Sequence, residues 1–269
     1  MWDELLKKAP AHLYSKIKNM GITSREEKIA IANALPGKLT GYDCPKCKNK
    51  GCIYALKDGC EVCYPCECMT VRENLRRVEE SGIKNLLDAY TFESYVALEP
   101  WQQAFKNSAQ KFVQDHDRKW FFAGGQVGAG KTHICTAIVG EFLQQNLSCR
   151  YMLWRDESVK IKALVNDDVE YYRLVNPLKT VDVLYIDDLF KTQVEERGGK
   201  KPPSQGDLNL AFEIINYRYA NNLTTILSSE RTIDELLGCD EAVGSRIYQR
   251  TKEYCWCFAP DQRKNYRLR

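Results

Sequence analysis

The sequence has no long hydrophobic run and almost no excess of one charge. Its longest uncharged stretches, residues 120–130 and 219–229, have 11 residues each and are diluted by glycine or polar residues, so neither is long enough to span a bilayer. The segment Met1-Trp2-Asp3-Glu4 lacks the basic and apolar regions of a secretory signal. With no internal repeat or low-complexity tract either, we expect a soluble cytoplasmic protein that has no membrane partner.

The net charge of +3 is too small to indicate nucleic-acid binding by itself. Residues 263–269 are strongly basic and include a tyrosine, a pattern that fits a solvated tail and a nucleic-acid contact equally well. Hydrophobic residues make up 44% of the chain and charged residues 28%, which excludes wholesale disorder. A chain of 269 residues is long enough for one large or two modest domains.

Cysteine is abundant, and its distribution divides the chain. Of 12 cysteines, seven fall within residues 44–68, whereas the other five are scattered among apolar neighbours, where a thiol is usually a small buried hydrophobe. Thiols stay reduced in the cytoplasm, so a cluster there indicates a metal site rather than disulfides.

A tetrahedral zinc ion needs two pairs of ligands, each presented by a tight turn. Cys44-Pro-Lys-Cys47 supplies the first pair. The second pair is Cys66 with Cys68, which we favour, or Cys60 with Cys63. Closed all-thiolate sites hold small domains together, so we expect a structural zinc site. A direct nucleic-acid contact is the weaker interpretation, despite the nearby lysines Lys46, Lys48, Lys50 and Lys57.

Helical patterns flank the cysteines. Apolar residues recur at helical spacing through residues 1–40. Their apolar face either covers the zinc site or binds a partner. The capping-box pattern from Thr23 to Glu26 predicts a helix that begins near Ser24. Residues 69–88 carry charges of both signs and read as a helical connector.

A nucleotide site is predicted from residue 120 onward. A short apolar strand leads into Gly125-Gln-Val-Gly-Ala-Gly-Lys-Thr132, which matches the P-loop pattern, and a helical segment follows it. Lys131 should reach the β- and γ-phosphates of ATP, and the Thr132 hydroxyl should bind Mg²⁺. The backbone that wraps the phosphates is contributed by Gly125, Gln126, Val127, Gly128, Ala129 and Gly130.

Two acids end a second apolar strand, residues 181–187. Asp187 should orient Mg²⁺ through a water molecule, and Asp188 should position or activate the attacking water. A third strand, 223–229, ends in hydroxyls, so Ser229 is a candidate for contacting the γ-phosphate or the water, although this signal is weak.

The alternation of patterns predicts a parallel sheet with helices on both faces, and phosphate bound beyond the carboxyl ends of its strands. The predicted strands are 120–123, 149–154, 181–187, 223–228 and 254–258, and the predicted helical segments are 132–145, 156–175, 207–221 and 232–250. The polar loop 191–206 after the acids fits a solvated loop better than a DNA contact.

These motifs together resemble the DnaC/DnaI-type replicative helicase loaders, a branch of the AAA+ ATPases. The resemblance rests on Cys44-Pro-Lys-Cys47, the P-loop from Gly125 to Thr132, and Val183-Leu-Tyr-Ile-Asp-Asp-Leu189. Asp-Asp in place of the more common Asp-Glu is typical of this branch. Only 39 residues follow Glu230, too few for the usual C-terminal helical lid.

The resemblance implies a fold and a domain order. We expect a helical, zinc-binding, helicase-binding domain over residues 1–70, a helical linker over 71–100 and a lidless AAA+ ATPase domain over 101–269. It also implies an ATPase that binds a DnaB-type hexameric helicase, places it on single-stranded DNA, and self-associates through its ATP sites.

Further roles follow from the resemblance. Arg246 in Gly244-Ser-Arg246 corresponds to the arginine finger that reaches a neighbour's nucleotide, with Arg250 as the fallback; pairing with Asp240 and Glu241 is the alternative. Ser228-Ser-Glu230 corresponds to the family's sensor segment, in which Glu230 stands where Asn is common, so that sensing either falls to Ser229 or is weak. Tyr90-Thr-Phe92 resembles the segment that seats the adenine, although its aromatics also fit a core. The candidates for contacting DNA are Lys160, Lys162, Tyr171, Tyr172 and Arg173.

Other functions share part of this pattern. An IstB-type transposition ATPase has the same core but typically lacks a zinc knuckle. A nucleotide-gated adaptor that scarcely hydrolyses ATP is a second alternative, and a small-molecule kinase is a distant third because no substrate-lid pattern is present.

Overall fold

The computed structural model describes residues 24–81, 83–191 and 200–268. The chain divides into two compact units, residues 1–75 and 76–269. Residues 1–23, which carry the first part of the apolar pattern predicted through residues 1–40, and the loop segment 192–199 lie outside the described residues. None of the described helices is long and apolar enough to cross a membrane.

The first unit consists of a helix, a hairpin and the start of a second helix: α1 (Arg25–Ala34), β1 (Cys52–Lys57), β2 (Cys60–Pro65) and α2 (Cys68–Ser81), which continues into the second unit. As predicted, α1 begins near Ser24, which is its N-cap, but the capping box pairs Ser24 with Glu27, one residue later than the pattern indicated. The Ser24 hydroxyl accepts the Glu27 N–H, and the Glu27 carboxylate accepts the Ser24 N–H, which satisfies two amides that the first turn leaves free.

The second unit contains a five-stranded sheet with all strand pairs parallel, in the order β4-β5-β6-β3-β7. Its strands are β3 (Trp120–Gly125), β4 (Cys149–Leu153), β5 (Val183–Asp187), β6 (Thr224–Ser228) and β7 (Cys255–Phe258). Its helices are α3 (Lys84–Ala89), α4 (Pro100–Gln114), α5 (Lys131–Gln144), α6 (Trp154–Ala163), α7 (Asp168–Thr180), α8 (Gln205–Ala220), α9 (Ile233–Cys239) and α10 (Glu241–Thr251).

The sheet separates two apolar cores. Along β3, Phe121 packs into the core that contains α4 and α5, whereas Trp120 and Phe122 pack into the core beneath α6 to α10. The three side chains are fully buried, and alternation along the strand sends neighbours to opposite faces. Burial of each contributes about 2–3 kcal/mol to folding. An apolar run without polar alternation is therefore the expected pattern for a central parallel strand.

The predicted fold class is confirmed. The helical segments expected across 156–175 are the two helices α6 and α7, and α7 continues beyond the predicted bound through Pro177 to Thr180. After β7, the described residues form only two short 3₁₀ turns, Gln262–Lys264 and Tyr266–Leu268, and no α-helix. The helix α4 was not predicted. The other elements for which bounds were predicted begin and end within about three residues of those bounds, because their amphipathic patterns are regular.

One buried charge was not anticipated. Arg218 on α8 is fully buried, and its guanidinium donates hydrogen bonds of 2.5–3.2 Å to six acceptors that end α7 and begin β5 and β6. These acceptors are the Thr225 hydroxyl and the carbonyls of Leu178, Lys179, Val181, Asp182 and Thr224. The planar guanidinium carries five N–H groups. It can therefore offset the free-energy cost of removing its charge from water by donating hydrogen bonds in several directions.

Candidate functional site

The P-loop runs from the end of β3 to the start of α5. Gly125 has φ of 93°, and a Cβ added to it would lie 2.2 Å from the Phe258 carbonyl oxygen, so only glycine fits there. The Gln126 N–H donates to that same carbonyl at 2.9 Å. The loop is therefore anchored to the neighbouring strand β7, as its backbone must be to present amides to phosphate.

Lys131 and Thr132 begin α5. The Lys131 ammonium donates to the carbonyls of Gly125 and Gln126, each at 2.8 Å, and lies across the loop. Burial lowers the pKa of Lys131, while nearby carboxylates, Asp188 first among them, oppose the shift. A buried ammonium that donates to two carbonyls can exchange them for phosphate oxygens, with which it forms stronger, charge-assisted hydrogen bonds.

The Thr132 hydroxyl donates to Asp187 Oδ1 at 3.3 Å. Asp187, at the carboxyl end of β5, is buried. A hydroxyl and a carboxylate oxygen are hard ligands of the kind Mg²⁺ prefers, and Mg²⁺ binds through one or two such protein groups together with the substrate's phosphates. The donor set at this point of the structure thus fits the predicted magnesium site.

Three further hydroxyls surround the Asp187 carboxylate. Tyr151 donates to it at 3.1 Å and Tyr185 at 2.7 Å, and Ser228 also donates to it. Burial, reinforced by the charge of Asp187, raises the pKa of both tyrosines, so both stay protonated donors. The sequence analysis did not identify this ring of hydroxyls; Tyr185, two residues before Asp187 on the same strand face, was the available signal.

Asp188 lies in a left-handed backbone conformation, with φ of 56°. Its Oδ2 lies 3.1 Å from the Lys191 ammonium, which also pairs with Glu230 at 2.8 Å. Burial and the negative charge of Asp187 raise the pKa of Asp188, and Lys191 opposes this shift. Lys191 was not anticipated. Its ammonium bridges Asp188, the residue predicted to activate water, and Glu230, which stands where the family pattern commonly has Asn.

Ser229 does not line the cavity that adjoins the P-loop, which is described below. Its buried hydroxyl donates to the Leu189 carbonyl at 2.8 Å and accepts the Arg231 N–H at 3.1 Å. The preceding Ser228 instead contacts the acids, since its hydroxyl also accepts the Asp188 N–H at 3.0 Å. The contact predicted for Ser229 stays a prediction, and Glu230 is the sensor-segment residue that faces the cavity.

A cavity of about 380 Å³ adjoins the P-loop. The residues that line it include polar and charged ones, Lys131, Thr132, Asp188, Lys191, Glu230 and Arg267, and aromatic ones, Tyr90, Tyr95, His133 and Tyr266. This volume is in the range of small-ligand sites.

Two of the aromatic rings that line the cavity stack on each other. Tyr90 stacks on His133 with ring centroids 4.7 Å apart, and the His133 Nε2 lies 2.9 Å from the Thr91 carbonyl oxygen. Phe92, by contrast, is buried in the core. Of the predicted adenine-seating aromatics, therefore, Tyr90 lines the cavity and Phe92 does not.

The first unit gathers four thiols. The Sγ atoms of Cys44, Cys47, Cys66 and Cys68 all lie within 4.8 Å of one another, and all four residues are buried. Cys60 and Cys63 are exposed on β2 and are not part of this group. Four converging thiols fit a tetrahedral zinc ion.

The thiols differ in acidity. Burial opposes ionisation of Cys47, but hydrogen bonds from the Gly51 N–H and from neighbouring thiols lower its pKa to about 6. Burial, together with the hydrogen bond to Cys47, raises the pKa of Cys68 to about 12. A divalent cation would be needed to remove the remaining protons, because thiolates this close repel one another.

Three of the four lysines near the thiols have structural partners. Lys46 pairs with Glu67 at 2.8 Å, and Lys48 donates to the Ala34 carbonyl at 3.0 Å. Lys50 donates to three carbonyls at the end of α1, those of Ala32, Asn33 and Leu35. These bonds satisfy carbonyls that the last helical turn leaves free. They favour the structural interpretation of this unit.

Arg246 and Arg250 lie on α10, outside the nucleotide cavity. Arg246 donates to Asn216 at 3.1 Å and to the Ala242 carbonyl at 2.7 Å, and its guanidinium stands over the rings of Phe212 and Tyr219. Arg250 donates to the carbonyls of Arg118 and Tyr219. Neither forms an ion pair with Asp240 or Glu241 among the described residues.

The five candidates for contacting DNA lie on α6 and α7, but three are engaged within the chain. Lys162 pairs with Asp207 at 2.5 Å, the Tyr171 hydroxyl donates to Glu213 at 2.7 Å, and Arg173 pairs with Glu170 at 2.7 Å. Tyr172 is 63% exposed, and Lys160 borders a second cavity of about 590 Å³. Tyr172 and Lys160 are thus the better-placed candidates.

The chain is similar in sequence and in fold to several known proteins. The Bacillus subtilis phage-like element PBSX protein XkdC is 33% identical over 223 residues, which cover 79% of this chain and 81% of that protein. Among solved structures, the DnaC helicase loader has a TM-score of 0.52 at 18% identity, over 66% of this chain and 99% of its own. The replication initiator DnaA bound to AMPPCP and single-stranded DNA has a TM-score of 0.50 at 22% identity, over 64% of this chain and 50% of its own.

The two structures share the fold of the second unit, which is the fold expected from the resemblance to helicase loaders. The bacterial DnaA ATPase domain family matches residues 86–251, more than half of the chain. This match includes the P-loop, both acids and Arg246. The chain therefore belongs to the bacterial DnaA ATPase domain family, a branch of the AAA+ ATPases.

Proposed function

We propose that this chain is an ATP-dependent loader that acts in the cytoplasm, binds a DnaB-type hexameric helicase and places it on single-stranded DNA during replication initiation. The observation that carries the proposal is the 3.3 Å contact between Thr132 and Asp187, with Asp188 next to it, beside a P-loop cavity. Family membership and the shared fold of a helicase loader and of a DNA-bound initiator support it.

Hydrolysis would use the chain's own residues as follows. Lys131 would bind the phosphates, and Thr132 with Asp187 would hold Mg²⁺, which would supply positive charge against the negative charge of the phosphates. Asp188 accepts the proton of the water that attacks the γ-phosphorus, the bond to the bridging oxygen breaks, and ADP and phosphate leave. Asp188 must first loosen its 3.1 Å pairing with Lys191.

The domains expected from the sequence would have separate roles. Residues 1–70 bind the helicase, and their zinc is held by Cys44, Cys47, Cys66 and Cys68. Residues 71–100 link this domain to the ATPase domain, residues 101–269. Neighbouring ATPase domains associate, with Arg246 of one reaching the nucleotide of the next. ATP favours this assembly, and hydrolysis releases it by removing the γ-phosphate contacts.

A second function is favoured by the ion pairs at Asp188. Lys191 bridges Asp188 and Glu230 in this structure, so the base is tied to a cation. A chain that keeps this arrangement with ATP bound would act as a nucleotide-gated adaptor with little hydrolysis. A multiple-turnover ATPase assay with single-stranded DNA separates the two: turnover no higher than that of Asp188→Asn favours the adaptor.

The experiment that tests the loader is light scattering coupled to size-exclusion chromatography. The chain is mixed with the replicative helicase of its own genome, with ATP, with ADP, and as the Lys131→Ala variant. We expect several loader chains per helicase hexamer with ATP and a different ratio with ADP. Absence of any complex in all conditions would contradict the proposal.

A further inference from the structure

The segment Asn265–Leu268 packs directly on the P-loop. The Tyr266 N–H donates to the Gly128 carbonyl at 2.9 Å, and the Tyr266 hydroxyl donates to the Val96 carbonyl. A Cβ added to Gly128 would lie 1.9 Å from Asn265 Oδ1, so the glycine permits this close approach. Tyr266 thus connects the P-loop to the segment that precedes the ATPase core.

The cationic side chains that line the cavity are not all paired with acidic side chains. Three cations line it: Lys131, Lys191 and Arg267. Lys191 is paired with both lining acids, Asp188 and Glu230. Arg267 is exposed and has no ion-pair partner within the part of the chain that the structure describes. Two cations, Lys131 and Arg267, therefore remain available to an anionic ligand.

A buried hydroxyl beside Tyr266 also lacks a partner. Tyr95 is 5% exposed and lines the cavity, and its hydroxyl has no hydrogen-bond partner among the described residues. Its ring packs against Gly130 of the P-loop. Leaving such a hydroxyl unpaired costs free energy that a polar ligand would recover. This unpaired hydroxyl is therefore a second, independent observation that indicates a ligand in the cavity.

We propose that residues 265–268 form a wall of the nucleotide site in cis, in which Arg267 binds the phosphate groups of a nucleoside triphosphate opposite Lys131 and Tyr95 donates a hydrogen bond to the same ligand. The inference rests on the proposed ATP binding. Its consequence is that the triphosphate holds this segment on the P-loop, whereas loss of the γ-phosphate weakens the hold.

The binding test is a fluorescence titration of the full chain with an ATP and an ADP analogue that carry a fluorophore on the ribose. Arg267→Gln removes the cation, and Tyr95→Phe removes only the hydroxyl. Arg263→Gln is the matched control, since Arg263 pairs with Asp261 and does not line the cavity. Losing a charge-assisted hydrogen bond should weaken the ATP analogue roughly 10-fold in Arg267→Gln, with a smaller effect on the ADP analogue. Tyr95→Phe should weaken both analogues a few-fold.

A second readout reports on the segment itself. Trypsin cleavage after Lys264 should slow several-fold when ATP is added to the unsubstituted chain, and ATP should give much less protection to Arg267→Gln. ATP affinity of Arg267→Gln equal to that of Arg263→Gln, with equal protection, would overturn the inference. If the unsubstituted chain and Lys131→Ala bind ATP equally poorly, the proposed function fails instead, and the two failures are distinguishable.

Discussion

Thr132, on the first turn of the helix after the P-loop, donates its hydroxyl to Asp187 at the end of β5, at 3.3 Å. The two residues are 55 positions apart in the chain, and the parallel sheet brings them together because β3 and β5 both pair with β6. Asp187 also accepts hydroxyls from Tyr151, Tyr185 and Ser228. The carboxylate is therefore fixed in position beside the phosphate-binding loop.

Asp187 and Asp188 should separate metal binding from chemistry. Asp188→Asn should bind Mg²⁺–ATP as the unsubstituted chain does, but turn it over about 10²-fold more slowly, the low end of what a general base contributes. Asp187→Asn should instead weaken the Mg²⁺ dependence of ATP binding. Titrations of ATP with and without Mg²⁺, alongside phosphate release, measure both. Equal effects of the two substitutions would contradict the division of roles.

The zinc site gives a matched set of cysteine variants. We expect one zinc per chain, with loss of zinc and of folding in the first unit after Cys44→Ser or Cys68→Ser, because a closed thiolate site needs all four ligands. Cys60→Ser and Cys63→Ser are the controls, since both thiols are exposed and outside the cluster. Elemental analysis of the purified variants checks this. Zinc retained by Cys68→Ser and lost from Cys63→Ser would reassign the second pair.

Arg246 should act on a neighbouring chain. Arg246→Ala should keep its ATP affinity, because the residue lies outside the cavity, while turnover falls about 10³-fold, as expected of an arginine finger. Mixing it with Asp188→Asn should restore part of the turnover, since each variant supplies what the other lacks. Arg250→Ala is run in parallel. Loss of turnover in Arg250→Ala alone would move the role to that residue.

Arg218 should be among the residues most sensitive to substitution. Arg218→Met leaves several buried carbonyls without donors and should lower the free energy of unfolding by about 3 kcal/mol or more. Arg173→Met, which removes only an exposed pair with Glu170, should change it by less than about 0.5 kcal/mol. Urea unfolding at constant zinc measures both. Similar values for the two variants would show that the buried network is not a stabilising element.

His133 should make stability depend on pH in mildly acidic solution. Burial lowers the pKa of His133, so the folded chain holds the ring neutral at pH values where the unfolded chain already protonates it. The stability that depends on the neutral ring is fully present above about pH 6.5 and is lost as the pH falls from there through the folded-state pKa. Thermal unfolding between pH 7.5 and 5 should show a shallower slope for His133→Gln than for the control His116→Gln.

Local patterns were sufficient for much of this protein. The glycine loop with its lysine and threonine, the acids at the end of an apolar strand, and the Cys-x-x-Cys turn each need a fixed backbone shape over a few residues, which adjacent residue types specify. The order of strands and helices followed from periodicity for the same reason. Family-level expectations about the fold rested on those short segments.

What lies far apart in the chain required the tertiary structure. Spacing alone left Cys60 and Cys63 as candidates, but the hairpin places both on an exposed strand and brings Cys66 and Cys68 to the first pair. The bridge from Asp188 through Lys191 to Glu230 and the packing of Tyr266 on Gly128 likewise depend on which strand ends and loops meet. The sequence by itself determined the chemistry each segment can perform, because that depends on neighbouring residue types. Only the tertiary structure decided which groups act on one another, because through-space distances are set by how the whole chain packs.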